Sequence, residues 1–270
     1  MSEDREVNSN PTFSKDGEWA FVLDSTASLH RYNTRTWKES APPMRHPNRE
    51  KFHSCGFAIS DDARYAVTFD APGENGPDGQ LQLWNVTTSQ PINAPLSAQN
   101  GLSARFMNGG RRLLITPGRG NTRVVKLPSL ETDFVLPRHD DVEASRALIT
   151  TDGRSILTWG YDSRLILTDA VTGKNQGSSH NRARIQSAHT GPDPDFVWLT
   201  YDNTAFLLKG HYDCYVVRMD LKTMKPTAIV RVTDYLHRTI LSRDGTRLMI
   251  HKGKTDHEVI RIFNAETLTD

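Results

Sequence analysis

The chain has only two cysteines, Cys55 and Cys214, so no disulfide framework holds it together and a reducing compartment is the default expectation. It has no surplus charge of either sign. With 33 basic against 32 acidic side chains the formal net charge is +1, so no overall field draws the molecule to nucleic acid or to an anionic membrane. Long apolar runs are missing as well: nothing approaches the ~18 residues of a membrane-crossing helix. Residues 1–17 are polar and lack the apolar stretch of a secretion signal. The expected location is the cytoplasm, with no membrane contact and no nucleic-acid partner.

Catalytic signatures are equally scarce. There is no Gly-x-Ser-x-Gly elbow and no Cys-x-x-Cys pair. Gly118, Arg119 and Gly120 resemble a phosphate loop, but no helical pattern follows to supply the amide-lined helix start that phosphate needs. His211 and Cys214 are spaced as a base and its thiol could be, yet beside Tyr212 and Asp213 they read as a hairpin turn. His251, Asp256, His257 and Glu258 could gather a metal, against the opposing charge of Lys252 and Lys254. No cofactor, no metal and no enzymatic activity are expected.

What the sequence does have is a repeat. An alternating apolar run followed by Asn, Asp or Ser, with Thr three residues later, recurs six times: Asn33 with Thr36, Asn85 with Thr88, Ser129 with Thr132, Asp169 with Thr172, Asp220 with Thr223, and Asn264 with Thr267. The spacings are 52, 44, 40, 51 and 44 residues, a period typical of β-propeller blades. A tight-turn dipeptide precedes each pair. These are Asp16–Gly17, Asp62–Ala63, Gly109–Gly110, Asp152–Gly153, Asp202–Asn203 and Asp244–Gly245, placed 17 to 23 residues upstream.

Each marker has a local physical cause. Gly, Asn and Asp tolerate the positive φ of a narrow turn. An Asx or Thr side chain accepts a hydrogen bond from a backbone amide two residues on, which ends a strand and starts the reversal. Between the markers, Trp19–Leu23, Tyr65–Phe69, Leu113–Thr116, Ser155–Trp159, Ala205–Leu208 and Leu248–His251 read as strands. The strands that follow alternate apolar, polar, apolar, as in Leu81-Gln82-Leu83, Val125-Lys126-Leu127, Val217-Arg218-Met219 and Ile260-Arg261-Ile262.

With these residues in view, nearly the whole chain resembles the WD40-repeat family, in the divergent form common in bacteria. The fourth repeat carries the likeness best, from Thr151-Asp152-Gly153-Arg154 through Gly160-Tyr161-Asp162 to Leu167-Thr168-Asp169-Ala170-Val171-Thr172-Gly173. Leu83-Trp84-Asn85, Ile262-Phe263-Asn264, Phe13 to Gly17 and Ser242 to Gly245 match other parts of the pattern. The resemblance implies an all-β fold, a β-propeller of four-stranded antiparallel blades, as one domain over 1–270. The family's Gly-His dipeptide is absent, and its Trp position holds Tyr32, Trp84, Pro128, Thr168, Met219 and Phe263. The His, Asp and Trp network that braces family members is therefore expected to be incomplete in most blades, with His46, His139 and His180 near the family's histidine position.

Six repeats are detected, and the last blade lacks its outer strand. Met1 to Val7, short and acidic, is a poor candidate for that strand and would make only a weak N-terminal clasp on a six-bladed ring. The alternative is a piece of a longer array, which would make other domains of that chain its partners. Because loops on a rigid scaffold carry function, the places that break the period are the candidate contacts: Asp70, Glu74, Asn75 and Asp78 in the acidic loop Asp70–Gln80; Arg49 and His53 in a basic surplus; and Arg182 and Arg184 in the long fourth-to-fifth connection. The expected function is a non-enzymatic scaffold for a protein partner. The alternative is a propeller enzyme, or a small-ligand or metal binder, using the central channel.

Overall fold

The computed structural model describes residues 11–47, 55–70, 79–98, 102–117, 120–139, 146–160, 162–180, 183–202, 213–233, 236–254 and 257–269. It is all-β, built of six antiparallel sheets whose strands lie side by side in chain order. The first sheet is β1 (Thr12–Phe13), β2 (Trp19–Leu23), β3 (Ser28–Asn33) and β4 (Met44–Arg45). The second is β5 (Cys55–Ile59), β6 (Tyr65–Asp70) and β7 (Gly79–Asn85), with the outer edge of β7 shared by β8 (Gln90–Pro91) and β9 (Leu96–Ala98). The third is β10 (Leu102–Met107), β11 (Arg112–Pro117), β12 (Arg123–Lys126) and β13 (Thr132–Val135).

The fourth sheet is β14 (Arg146–Ile149), β15 (Ser155–Trp159), β16 (Arg164–Asp169) and β17 (Asn175–His180). The fifth is β18 (Arg184–Thr190), β19 (Phe196–Asp202), β20 (Asp213–Asp220) and β21 (Lys225–Thr233). The sixth has three strands among the described residues, β22 (Leu236–Leu241), β23 (Arg247–Lys254) and β24 (His257–Asn264). The chain, read from its repeat as one domain, groups into two compact units, Met1–Leu136 and Pro137–Asp270, with three sheets in each.

Within each unit the cores lie between successive sheets. Phe21, Leu23 and Leu29 of the first sheet pack on Ala66, Trp84 and Val86 of the second, and Val67, Leu81 and Leu83 of the second pack with Leu113, Ile115 and Val125 of the third. In the other unit Leu157, Leu165 and Leu167 of the fourth sheet meet Val197, Leu199 and Met219 of the fifth, whose other face, with Trp198 and Val216, packs on Leu248, Ile250 and Phe263 of the sixth. Period-two alternation thus sends one row of each strand backward and the next row forward, and the facing rows of these stacked sheets are buried.

The turns repeat more strictly than the side chains do. Between the third and fourth strands of every sheet, or at the end of β24 in the sixth, the residue four beyond the strand's last position has positive φ: Trp37, Ser89, Leu130, Gly173, Met224 and Leu268, or Gly173 at 71° and the others between 53° and 61°. At five of the six turns an Asx side chain caps the reversal. Asn33 Oδ1, for example, accepts from the Arg35 and Thr36 amides at 3.1 and 3.0 Å, and Asn85, Asp169, Asp220 and Asn264 cap theirs likewise. The third turn starts instead at Lys126, whose carbonyl accepts from the Leu130 amide at 2.8 Å. The Ser129–Thr132 pair is therefore out of register by three residues, because Lys126 has no side-chain acceptor to reveal the turn.

The first turns of four sheets share a second device. The hydroxyls of Ser14, Ser60, Thr150 and Ser242 donate to Asp16, Asp62, Asp152 and Asp244, and each accepts in return from an amide five residues on. Hydrogen bonds from the Ser242 hydroxyl and from the Thr246 amide and hydroxyl hold the Asp244 carboxyl down at about 2. In the fifth sheet this turn is Gly191–Asp195, where Asp193 Oδ1 accepts from the Asp195 amide at 3.0 Å. Asp202 instead ends β19, and Asn203, like the expected strand Ala205–Leu208, lies outside the described residues. Asp193 lies 24 residues beyond Asp169, so the apparent surplus between the fourth and fifth repeats comes from the misplaced turn and is filled by β17 and β18.

Candidate functional site

Buried histidines are the most conspicuous polar chemistry, and in three cases they bind carboxylates or hydroxyls of their own sheet or its neighbour. In the first unit His46 is 1% exposed. Its Nδ1 lies 2.7 Å from Thr68 Oγ1 and its Nε2 3.3 Å from Asp70 Oδ2, while Trp84 Nε1 donates to the same Thr68 hydroxyl at 3.0 Å. Asp70 Oδ1 also accepts from the Gln80 amide, which fixes the start of β7. The same register position recurs in the second unit. His139 Nε2 lies 3.0 Å from Thr158 Oγ1 and Nδ1 3.0 Å from Asp162, but Thr168 stands where Trp84 would, so the indole donor is missing.

His30 sits on the first sheet between Glu39 Oε1 at 2.6 Å and Asp24 Oδ2 at 2.9 Å. Burial pushes the Asp24 carboxyl up, but hydrogen bonds from His30, Thr26 and the Ser28 amide outweigh this and hold it below its ordinary value. His189 Nε2 lies 2.7 Å from Thr239 Oγ1 and 3.2 Å from Ser187 Oγ, and burial pushes its pKa down. A serine beside a histidine invites a nucleophilic reading. Among the described residues, however, no carboxylate is hydrogen-bonded to His189, and Ser187 is engaged with Thr200 at 2.7 Å. These clusters brace strands. His180, placed near the same family position by sequence, is exposed at the end of β17.

Of the eight candidate contact residues, Glu74, Asn75, Asp78, Arg49, His53 and Arg182 lie outside the described residues. Asp70 belongs to the end of β6 rather than to a loop and is 0% exposed, its carboxylate turned to His46 and Gln80, so it has no surface to offer a partner. Arg184 opens β18, paired with Asp202 across the ladder, and is a sheet position rather than a loop tip. In the third sheet Asp133 meets Arg112 at 2.8 Å and Lys126 at 3.4 Å, so these two cations are paired.

Among the described residues no three His, Cys, Asp or Glu side chains are arranged to hold a metal ion, and Cys214 is a buried cysteine. A cleft of about 290 Å³ lies at the turn ends of the fifth and sixth sheets, lined by Asp193, Trp198, Arg218, Asp244 and Glu266. Two of its carboxylates already cap their own turns, Asp193 through the Asp195 amide and Asp244 through the Thr246 amide.

The sixth sheet differs from the rest at its surface. In the antiparallel register Ile260 takes the place that Leu29, Leu81, Leu165 and Val216 take in the first, second, fourth and fifth sheets. Those four are 0% exposed, and Ile260 is 62% exposed. Ile262 matches Leu83, Val124 and Leu167, all buried, yet is 59% exposed. Ile240, opposite Met249 on the same face, is exposed as well. Sequence alternation marked Ile260 and Ile262 as a strand row, but nothing local says whether a neighbouring sheet covers that row.

No protein-family model and no curated protein sequence matches the chain. The fold does have a match among solved structures: hydrazine synthase of Kuenenia stuttgartiensis superposes with a TM-score of 0.66 over 98% of this chain and 78% of that one. The fold is β-propeller-like. At 13% identity the similarity speaks for the fold alone.

Proposed function

We propose that the protein is a non-enzymatic interaction module, a divergent WD40-type β-propeller of six repeats that docks a protein partner in a reducing cytoplasmic setting. The exposed Ile240, Ile260 and Ile262 on one face of the sixth sheet carry this reading, because apolar side chains gathered on an exposed sheet face suit a contact site. The turn chemistry shared by the sheets supports the WD40 assignment. So does the joining of His46, Thr68, Trp84 and Asp70 in the second sheet, the one repeat whose sequence keeps the tryptophan. The buried thiol of Cys214 suits a reducing compartment.

Affinity capture of the intact tagged chain from its native cells tests the reading, with the eluate analysed for protein, metal and small molecules. A stoichiometric protein partner is expected. A bound metal or metabolite without any protein would contradict it and point to channel chemistry.

A further inference from the structure

We infer that one end of the interface between the fourth and fifth sheets is a binding site for a carboxylate group, a site separate from the interaction reading above. Two buried donors carry it. Trp159 and Tyr201 are each 5% exposed, and among the described residues neither the Trp159 indole N–H nor the Tyr201 hydroxyl has a hydrogen-bond partner. Folded interiors pair nearly all such groups, because a buried donor left unmade forfeits its water without compensation. Burial pushes the Tyr201 phenol above its ordinary value, so it keeps its proton and stays a donor.

The two donors belong to one place. Both lie in the core between the fourth and fifth sheets, among Leu148, Leu165 and Ile185. Thr151 Oγ1 donates to the Gly191 carbonyl at 2.7 Å, which sets the first turns of these two sheets side by side. Trp159 is the last residue of β15 and Tyr201 the last but one of β19, so both stand at the end away from those turns. Arg146 is paired with Trp159 across the ladder, which puts it on the same face, and its guanidinium reaches over to the Gln186 carbonyl of the fifth sheet. Two neutral donors and a guanidinium with apolar walls call for a ligand that only accepts hydrogen bonds and carries negative charge. A carboxylate has both properties and offers two oxygens to the donors. A metal cation or an amine would meet donors alone, and a phosphate would bring more charge into apolar surroundings than one guanidinium offsets.

The test is titration of the full chain with sodium acetate at constant ionic strength, reading the Trp159 indole N–H in proton–nitrogen correlation spectra and assigning it by its loss in Trp159→Phe. A saturable shift that chloride does not produce is expected, with affinity about tenfold weaker in Tyr201→Phe. In acetate-free buffer Tyr201→Phe should hold the parent's thermal midpoint or exceed it, because an unpaired hydroxyl adds nothing to the fold. N-acetyl-glycylglycine, which ends in a free peptide carboxylate, is the second probe. Tighter binding than acetate marks a polypeptide C-terminus as the source of the carboxylate, and weaker binding marks a small free acid. An indole resonance that neither probe moves overturns the inference. Equal affinity in Tyr201→Phe, or a lower midpoint of that variant without acetate, overturns it too.

Discussion

Asp70→Ala is expected to destabilise the protein by about 3 kcal/mol, because it leaves a buried imidazole without its carboxylate partner and strips the Gln80 amide of its acceptor. Thr68→Val separates the polar contribution from shape. It keeps the volume but removes the one hydroxyl that both His46 and Trp84 use, and should cost about 2 kcal/mol. Urea denaturation followed by tryptophan fluorescence reads both. Because the chain forms two compact units, the affected transition is expected to be the one that reports on residues 1–136. Were Asp70→Ala to unfold at the parent's midpoint while losing a captured partner, Asp70 would be a contact residue and the bracing role would be refuted.

The second large effect lies at one register position in two sheets. Leu165→Ala removes a fully buried side chain from the core between the fourth and fifth sheets, beside Val197 and Leu199, and should cost about 3 kcal/mol through lost burial and the cavity left behind. Ile260→Ala deletes a side chain of similar size at the same position in the sixth sheet. With 62% of Ile260 already exposed, it should cost less than about 1 kcal/mol. Equal losses at the two positions would mean that Ile260 is covered in the isolated chain.

The fold was legible in the sequence wherever a side chain does the turn's work. Asn33, Asn85, Asp169, Asp220 and Asn264 accept amide hydrogen bonds that the turn would otherwise leave unmade, so those residue types recur at fixed places. Where the backbone alone makes the turn, the signal vanishes. Leu130 adopts φ of 61° on a hydrogen bond to the Lys126 carbonyl, with no side-chain acceptor at Lys126, so the nearest marker in the sequence is Ser129. The fifth sheet's first turn, Pro192-Asp193-Pro194, has no glycine after its aspartate, so Asp202–Asn203 took its place and displaced the strand after it.

The candidate site was less legible, for a different reason. Asp70 adjoins a Gly- and Pro-rich acidic stretch and reads as its first residue; its meeting with His46, 24 residues earlier, is a tertiary fact. The sixth sheet has three strands among the described residues, as many as the sixth repeat offers in the sequence. That Ile260 and Ile262 stand uncovered depends on sheet-on-sheet stacking, which a period of two leaves unspecified.

The most direct measurement is thiol-labelling rate under native conditions in a Cys55→Ser/Cys214→Ser background, with a single probe each from Leu29→Cys, Leu81→Cys, Leu165→Cys, Val216→Cys and Ile260→Cys. The first four positions are fully buried and should label only through unfolding, whereas the probe at 260 should label at close to the rate of a free thiol. Protection at 260 equal to that of the other four would contradict the open face, and fast labelling at any of the four would contradict the shared register of the sheets.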